Sequence, residues 1–393
     1  MRIRSTFRFC ISLSCVSKRL KGLIFPHLEH TSSYFFLPGR IIVLFIFLVS
    51  FISCEKDVPL KSFNVREGIF ILNEGNFTYG NSSLSFYDSK TKELLNNVFE
   101  NTNGFPIGDV LQSMTLMDSM AFLVVNNSGK IIVMNANSFK YTGILPGFVS
   151  PRQMLIINNS KAYVSDLYNN SISIINPVTY TKTGNIGLKK GSESMLKYGN
   201  YVFVGNWSKQ KTIQRINISE DKLIDSLVVT KQPNSMVLDK NNKLWVLSDG
   251  GLASLPGGKV KACLTRINPE SFTIEKEFVF PDLNSAPSRL FLNTVKDTLY
   301  FLNGSWGTSI NKGGVYRMSI NDLEIPSTAF IPENGRLFYA LGVDPKNTDI
   351  YVSDAIDYLQ AGWVFRYNNC AVLIDSFKTD IIPSGFCFKY DKF

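Results

Sequence analysis

Histidine is almost missing from this chain. Its 393 residues contain two, His27 and His30, both near the N-terminus. Without that segment no Ser-His-Asp triad, Cys-His nucleophile, His-ligated zinc or HExxH protease site can be assembled. Catalysis would be left to carboxylates, Lys, Tyr or Ser, and the sequence points away from an enzyme. Cysteine is scarce as well. After Cys54 only Cys263, Cys370 and Cys387 remain, an odd set without a CxxC, which excludes a disulfide framework and reads as free thiols. There is no P-loop, GxGxxG fingerprint or zinc-ligand spacing, so no cofactor is expected. The net charge of +9 is unevenly placed. Residues 1–53 hold seven Lys/Arg and one acid, whereas the remaining residues carry 34 basic and 31 acidic side chains. A body so nearly balanced offers no electrostatic footprint for nucleic acid.

What is present at the N-terminus is an address. Residues 41–52, IIVLFIFLVSFI, are apolar apart from Ser50. Twelve residues fall short of the roughly 20 that span a bilayer. The run follows Arg40 and ends in Phe51-Ile52-Ser53-Cys54, a basic flank, a short apolar core and a small residue before Cys. That pattern resembles a bacterial lipoprotein signal. The expected organisation is a leader over 1–53, with the signal at about 37–53. Cys54 is then the lipidated first residue, 54–65 is a linker, and one domain covers 66–393. The charged Glu55-Lys56-Asp57 after the Cys resembles the surface-export signal of Bacteroidetes lipoproteins. The resemblance implies that the membrane is met through a lipid anchor only, on the outer membrane, with cell-surface exposure as the expectation and a periplasm-facing anchor as the alternative.

The body is a repeat. Strand-like runs ending at a polar or small residue recur seven times: Ile69–Leu72, Phe122–Val125, Ala162–Ser165, Tyr201–Val204, Leu244–Leu247, Leu299–Leu302 and Ile350–Ser353. Their spacings of 53, 40, 39, 43, 55 and 51 residues suit one four-stranded blade each. Other runs precede them by about ten residues, as in Gln153-Met154-Leu155 and Asn234-Ser235-Met236. Third strands such as Ser171–Asn176 and Thr212–Asn217 follow. The first repeat lacks its first strand, and Pro383–Phe388 matches Pro233–Leu238 in pattern. The expected fold is therefore all-β, a seven-bladed β-propeller closed by the C-terminal strand joining the N-terminal blade. Closure matters because an open ring would expose a strand edge.

The stretch Lys161-Ala162-Tyr163-Val164-Ser165-Asp166, with Asn170-Ser171-Ile172-Ser173-Ile174-Ile175-Asn176-Pro177-Val178-Thr179 after it, resembles the repeat of YncE-like propellers. With the lipoprotein signal, the chain is similar to the Bacteroidetes surface propeller lipoproteins. One branch of these captures cobalamin for a TonB-dependent outer-membrane transporter. The resemblance implies a small-molecule nutrient, a corrinoid in that branch, and such a transporter as partners.

Propellers bind at one mouth of the channel. Here that mouth is formed by the loops joining second to third strands and by the connections leading into each first strand. These segments are aromatic for polar turns. Phe77, Tyr79, Phe105, Tyr168, Trp207, Trp306 and Tyr358, with Arg152, Arg289 and Arg336, are the candidate ligand-binding residues. Aromatic faces and amides suit a large, flat, polar ligand. The acids Glu74, Asp109, Asp166, Asp249, Asp354 and Asp357 are where a Ca2+ site would form, if they are more than turn residues. Two other readings stay open: a lactonase-type hydrolase using carboxylates and a metal, and a non-catalytic scaffold for another envelope protein.

Overall fold

A computed structural model describes residues 60–254, 257–305 and 313–390. The leader, Cys54 and Trp306 lie outside the described residues. Seven four-stranded antiparallel sheets make up the domain. The first joins β1 (Gly68–Asn73), β2 (Ser83–Asp88) and β3 (Glu93–Leu95) to the last strand, β28 (Pro383–Lys389). The six that follow each use four consecutive strands. The inner strands are β4 (Leu111–Met117), β8 (Pro151–Asn158), β12 (Met195–Tyr198), β16 (Pro233–Leu238), β20 (Ser285–Leu292) and β24 (Phe338–Val343). Their neighbours are β5 (Met120–Val125), β9 (Lys161–Asp166), β13 (Tyr201–Asn206), β17 (Leu244–Ser248), β21 (Thr298–Ser305) and β25 (Ile350–Asp354). This is the seven-bladed β-propeller.

Burial follows position in the blade. Second and third strands lie between neighbouring blades and are covered on both faces, so they are continuous apolar runs. β1 (GIFILN) and β17 (LWVLS) are buried throughout. The outer strand β15 (Lys222–Val228) meets solvent on one face and alternates exposed with half-buried. Its sequence, KLIDSLV, has the matching period of two. The core is accordingly a set of clusters between blades, such as the one joining Phe70, Phe86 and Val98 to Leu123 and Ile132 of the next sheet.

Turns at the far end of the third strands share one device. The side chains of Asp88, Asn135, Asn176, Asn217 and Asn268 each accept hydrogen bonds from the backbone N–H groups two and three residues on. Four residues on, Lys92, Phe139, Tyr180, Asp221 and Phe272 adopt positive φ. These are Asx turns that re-enter the ladder through a left-handed residue. One helix, α1 (Val98–Asn103), interrupts the pattern, and the sequence carried no sign of it.

The ring closes through β28, whose ladder with β1 runs from Gly68↔Lys389 to Asn73↔Pro383. Gly342 in β24 makes the join close: a Cβ there would lie 2.9 Å from the Phe386 side chain of β28. Deleting residues 382–390 should leave β1 as an unpaired inner edge and abolish cooperative thermal unfolding, measured by circular dichroism. A sharp transition in the truncated chain would contradict closure by this strand.

Candidate functional site

Each inner strand has one edge facing the channel and one sheet neighbour. Near its start the register with that neighbour slips in six of the seven blades, at Ser384, Gln112, Arg152–Gln153, Asn234, Arg289–Leu290 and Tyr339–Ala340. In the seventh, Glu193 and Ser194 occupy the same level just ahead of β12. These β-bulges redirect side chains, as bulges beside functional sites commonly do. The redirected residues form a polar floor at the mouth expected from the sequence.

Four blades meet on this floor. Glu74, in the β1–β2 loop, accepts a hydrogen bond from the Tyr339 hydroxyl at 3.0 Å and interacts electrostatically with both Arg289 and Arg152. Arg152 forks onto Glu193, with Nε and Nη2 each 2.7 Å from a carboxylate oxygen. Arg289, Tyr339 and Glu74 come from the consecutive blades six, seven and one, whereas Arg152 belongs to blade three, which is adjacent to none of them, and acts on Glu74 from across the channel. Burial pushes the Glu74 carboxyl above its usual range, against the opposing pull of Arg289 and the Tyr339 hydroxyl. Its surface is nonetheless half-buried rather than sealed, as befits a group inside an open channel. Burial works against the Arg152 charge, but Glu193 more than restores it, so its pKa lies above the ordinary arginine value. Burial, followed by the Glu74 charge, raises the Tyr339 phenol.

Above the floor stands an apolar rim. Phe77, Tyr79 and Tyr168 are 65%, 77% and 70% exposed in the loops of blades one and three. Val149, Leu283 and Leu359 are exposed in neighbouring loops on the same face. Tyr358 is half-buried, its ring edge-on to Tyr339 at 5.6 Å and its carbonyl accepting from the Asn76 amide. Trp207 is half-buried and donates its indole N–H to Asp249 at 3.1 Å, linking blades four and five. Burial raises that Asp249 carboxyl.

Two candidates stand elsewhere. Phe105 packs edge-on against Phe99 of α1 and Tyr141 of the outer strand β7 (Tyr141–Leu145), away from the inner strands. Further on, the same connection reaches the mouth at Gly108, whose carbonyl accepts from the Ser82 N–H. The Arg336 guanidinium lies over the Phe365 ring at 4.3 Å, wedged against the sheet of blade seven.

The mouth asparagines and aspartates serve the turns. Asp166 accepts from the Val149 and Ser150 N–H groups, and Asp354 from those of Leu337 and Ile356. Asn126 donates to Ser150 and Pro151, and Asn206 to Gly191. In blades two, three, four and seven the polar residue at the end of the second strand thus fastens the chain leading into an inner strand, whereas Asn73 donates to Ser83 and Ser85 of its own blade. Asp109 accepts from the Thr78 N–H of the β1–β2 loop, and Asp357 from the nearby Leu359 N–H. Among the described residues no three His, Cys, Asp or Glu side chains gather as a metal site would require.

Glu193 and Tyr339 were absent from the sequence candidates. Their signal is positional: each lies two residues before a buried apolar residue of its inner strand, Met195 and Leu341. Arg152 before Met154 has the same spacing. A cavity of about 450 Å³ lined by Arg66, Glu67, Asp88 and Lys90 sits by the outer strands of blade one, remote from the floor.

The sequence profile of a Domain of unknown function (DUF5074) matches residues 67–384. The chain belongs to this family. No curated protein matches it. Among solved structures it is similar to a quinonprotein alcohol dehydrogenase-like protein from Bacteroides thetaiotaomicron, at 15% identity and TM-score 0.62 over 83% of this chain and 79% of that one. It is also similar to a Bacteroides fragilis protein provisionally assigned as a 6-phosphogluconolactonase, at 12% identity and TM-score 0.60 over 82% and 98%. A computationally designed protein, Ika8, aligns at 14% identity and TM-score 0.51 over 84% and 93%. Likeness that extends to a designed chain carries the propeller fold and no activity.

Beside the mouth, burial pushes the Glu333 carboxyl up to about 7, with the nearby Asp354 charge adding to the effect. An acid with a raised folded pKa favours the fold while protonated. That contribution is whole below the unfolded value of 4.5 and is lost as pH rises through about 7. The melting temperature of the parent should therefore fall relative to Glu333→Gln across this window. A constant difference between the two would contradict the burial of this group.

Proposed function

We propose that this DUF5074 propeller is a ligand-capture protein of the cell envelope, taking a small-molecule nutrient at the mouth built on Glu74, Arg152, Arg289 and Tyr339. The observation that carries the reading is the pairing of a charged floor, drawn from four blades, with exposed aromatic side chains above it. Such a basin gives a ligand apolar contact area and a few fixed polar partners. Exposed Phe77, Tyr79 and Tyr168 have no folding role that would keep them out of water, and grouped exposed apolar side chains mark interaction surfaces. The residues around 37–54 supply the tether in this reading, a lipid on Cys54, with a TonB-dependent transporter as recipient. The lactonase-type reading draws on one neighbour's provisional name at 12% identity, which carries the fold alone.

A corrinoid is the ligand that the resemblance to surface propellers implies, and its flat ring and amides suit this basin. Calorimetric titration with cyanocobalamin and cobinamide should show saturable binding, weakened about tenfold by Tyr168→Ala or Phe77→Ala if these rings are anchors. Melting temperatures of both variants should stay unchanged, since the side chains are exposed. Absence of heat and of thermal shift with both compounds would remove the corrinoid. Binding that both variants leave untouched would remove the rim from the site.

A further inference from the structure

We infer that the ligand presents an oxyanion, a carboxylate or a phosphate, to Arg289 at the floor of the mouth. The inference rests on the mouth being the binding site and adds the chemical group that is held there. Arg289 is a cation positioned at a cost. It has φ +59° inside a β-strand, where a non-glycine residue is strained, and the register of β20 slips around it. Its blade also departs from the others. Pro287 pairs with Asn303 as Pro151 pairs with Asp166 and Pro233 with Ser248. Yet the slip then falls one residue later than at Asn234, on Arg289 itself. The displaced bulge sends the guanidinium toward Glu74 and over the Tyr339 ring, whose centroid is 6.0 Å away.

The two floor arginines differ in what they meet. Arg152 has its charge paired by two bonds to Glu193. Arg289 makes no hydrogen bond or ion pair with any described residue, although a guanidinium has five donors in a fork that matches carboxylate and phosphate oxygens. Glu74 influences it through space without reaching ion-pair distance. Burial weakens that carboxylate's hold on its charge, leaving the arginine less compensated. A strained backbone at an unpaired cation suits an anion site, and because the Tyr339 hydroxyl gives its proton to Glu74, the guanidinium supplies the donors.

The test is a thermal-shift titration of the full-length chain in mild detergent, with inorganic phosphate and with acetate in separate arms, each against chloride at matched ionic strength. We expect a saturating rise in melting temperature with at least one of the two, and the stronger arm identifies the oxyanion. Arg289→Asn removes the charge while tolerating positive φ, so it should fold with unchanged or higher melting temperature and bind the anion about tenfold or more weakly. Arg289→Lys should restore part of the response. Lys222→Asn, an equal charge change on the outer strand of blade four, should leave it intact. No saturable response to either anion, or an equal response in Arg289→Asn, would overturn the inference. If a neutral ligand nevertheless binds at Tyr168 and Phe77, the capture reading survives alone. Anion binding at Arg289 without any organic ligand would instead leave the site standing and remove nutrient capture.

Discussion

Every inner strand of the ring has a neighbour on one side only. Its other edge faces the channel, and the backbone groups there must be satisfied without a strand. The chain meets this constraint from adjacent blades. Ser113 and Thr115 donate their hydroxyls to the carbonyls of Arg152 and Met154, Asn234 donates to Pro287, and Ser353 to Pro383. The Gln153 side chain accepts from the Met195 N–H. Proline begins three inner strands, at 151, 233 and 383, and Pro287 is the third residue of β20, which suits an edge because it removes a donor. This system works only when the ring is complete, so the β28–β1 ladder underlies every other feature of the domain.

The same constraint produces the site. Bulges near the start of the inner strands let each blade enter the ring, and they turn side chains toward the axis at one common level. A repeat that must crowd seven strand ends around a small opening therefore makes a ring of seven variable side chains without further machinery. Three of the blades carry small or amide groups there, Ser384, Gln112 and Asn234. Arg152, Glu193, Tyr339 and the shifted Arg289 are departures from that default, and they are where chemistry enters a repeated frame.

Much of the fold was legible because blade burial writes itself into sequence. Middle strands covered on both faces are continuous apolar runs, and the Asx turns leave Asn or Asp at a fixed place. The split first repeat was legible from the match between Pro383–Phe388 and Pro233–Leu238. The site was legible only in part. Loop membership pointed to the mouth at which Arg152, Arg289, Tyr168 and Tyr358 stand. It could not tell that Phe105 packs on α1 and Tyr141, since a six-residue helix leaves no periodic trace. It also missed Glu193 and Tyr339, whose importance comes from partners in other blades. The mouth asparagines are ambiguous in sequence for a related reason. An amide that fastens a turn and one offered to a ligand are the same residue in sequence, and only their hydrogen bonds separate them.

In the proposed function, the face bearing this floor receives a small molecule. Hydrogen–deuterium exchange on the full-length chain, with and without a small-molecule extract of the source cells, tests it most directly. Slowed exchange at Val149–Gln153, Asp166–Ser171 and Ser285–Leu290 is predicted, with the Asx turns around Asn176, Asn217 and Asn268 at the opposite end unchanged. Protection confined to those turns, or to the outer strands, would contradict it.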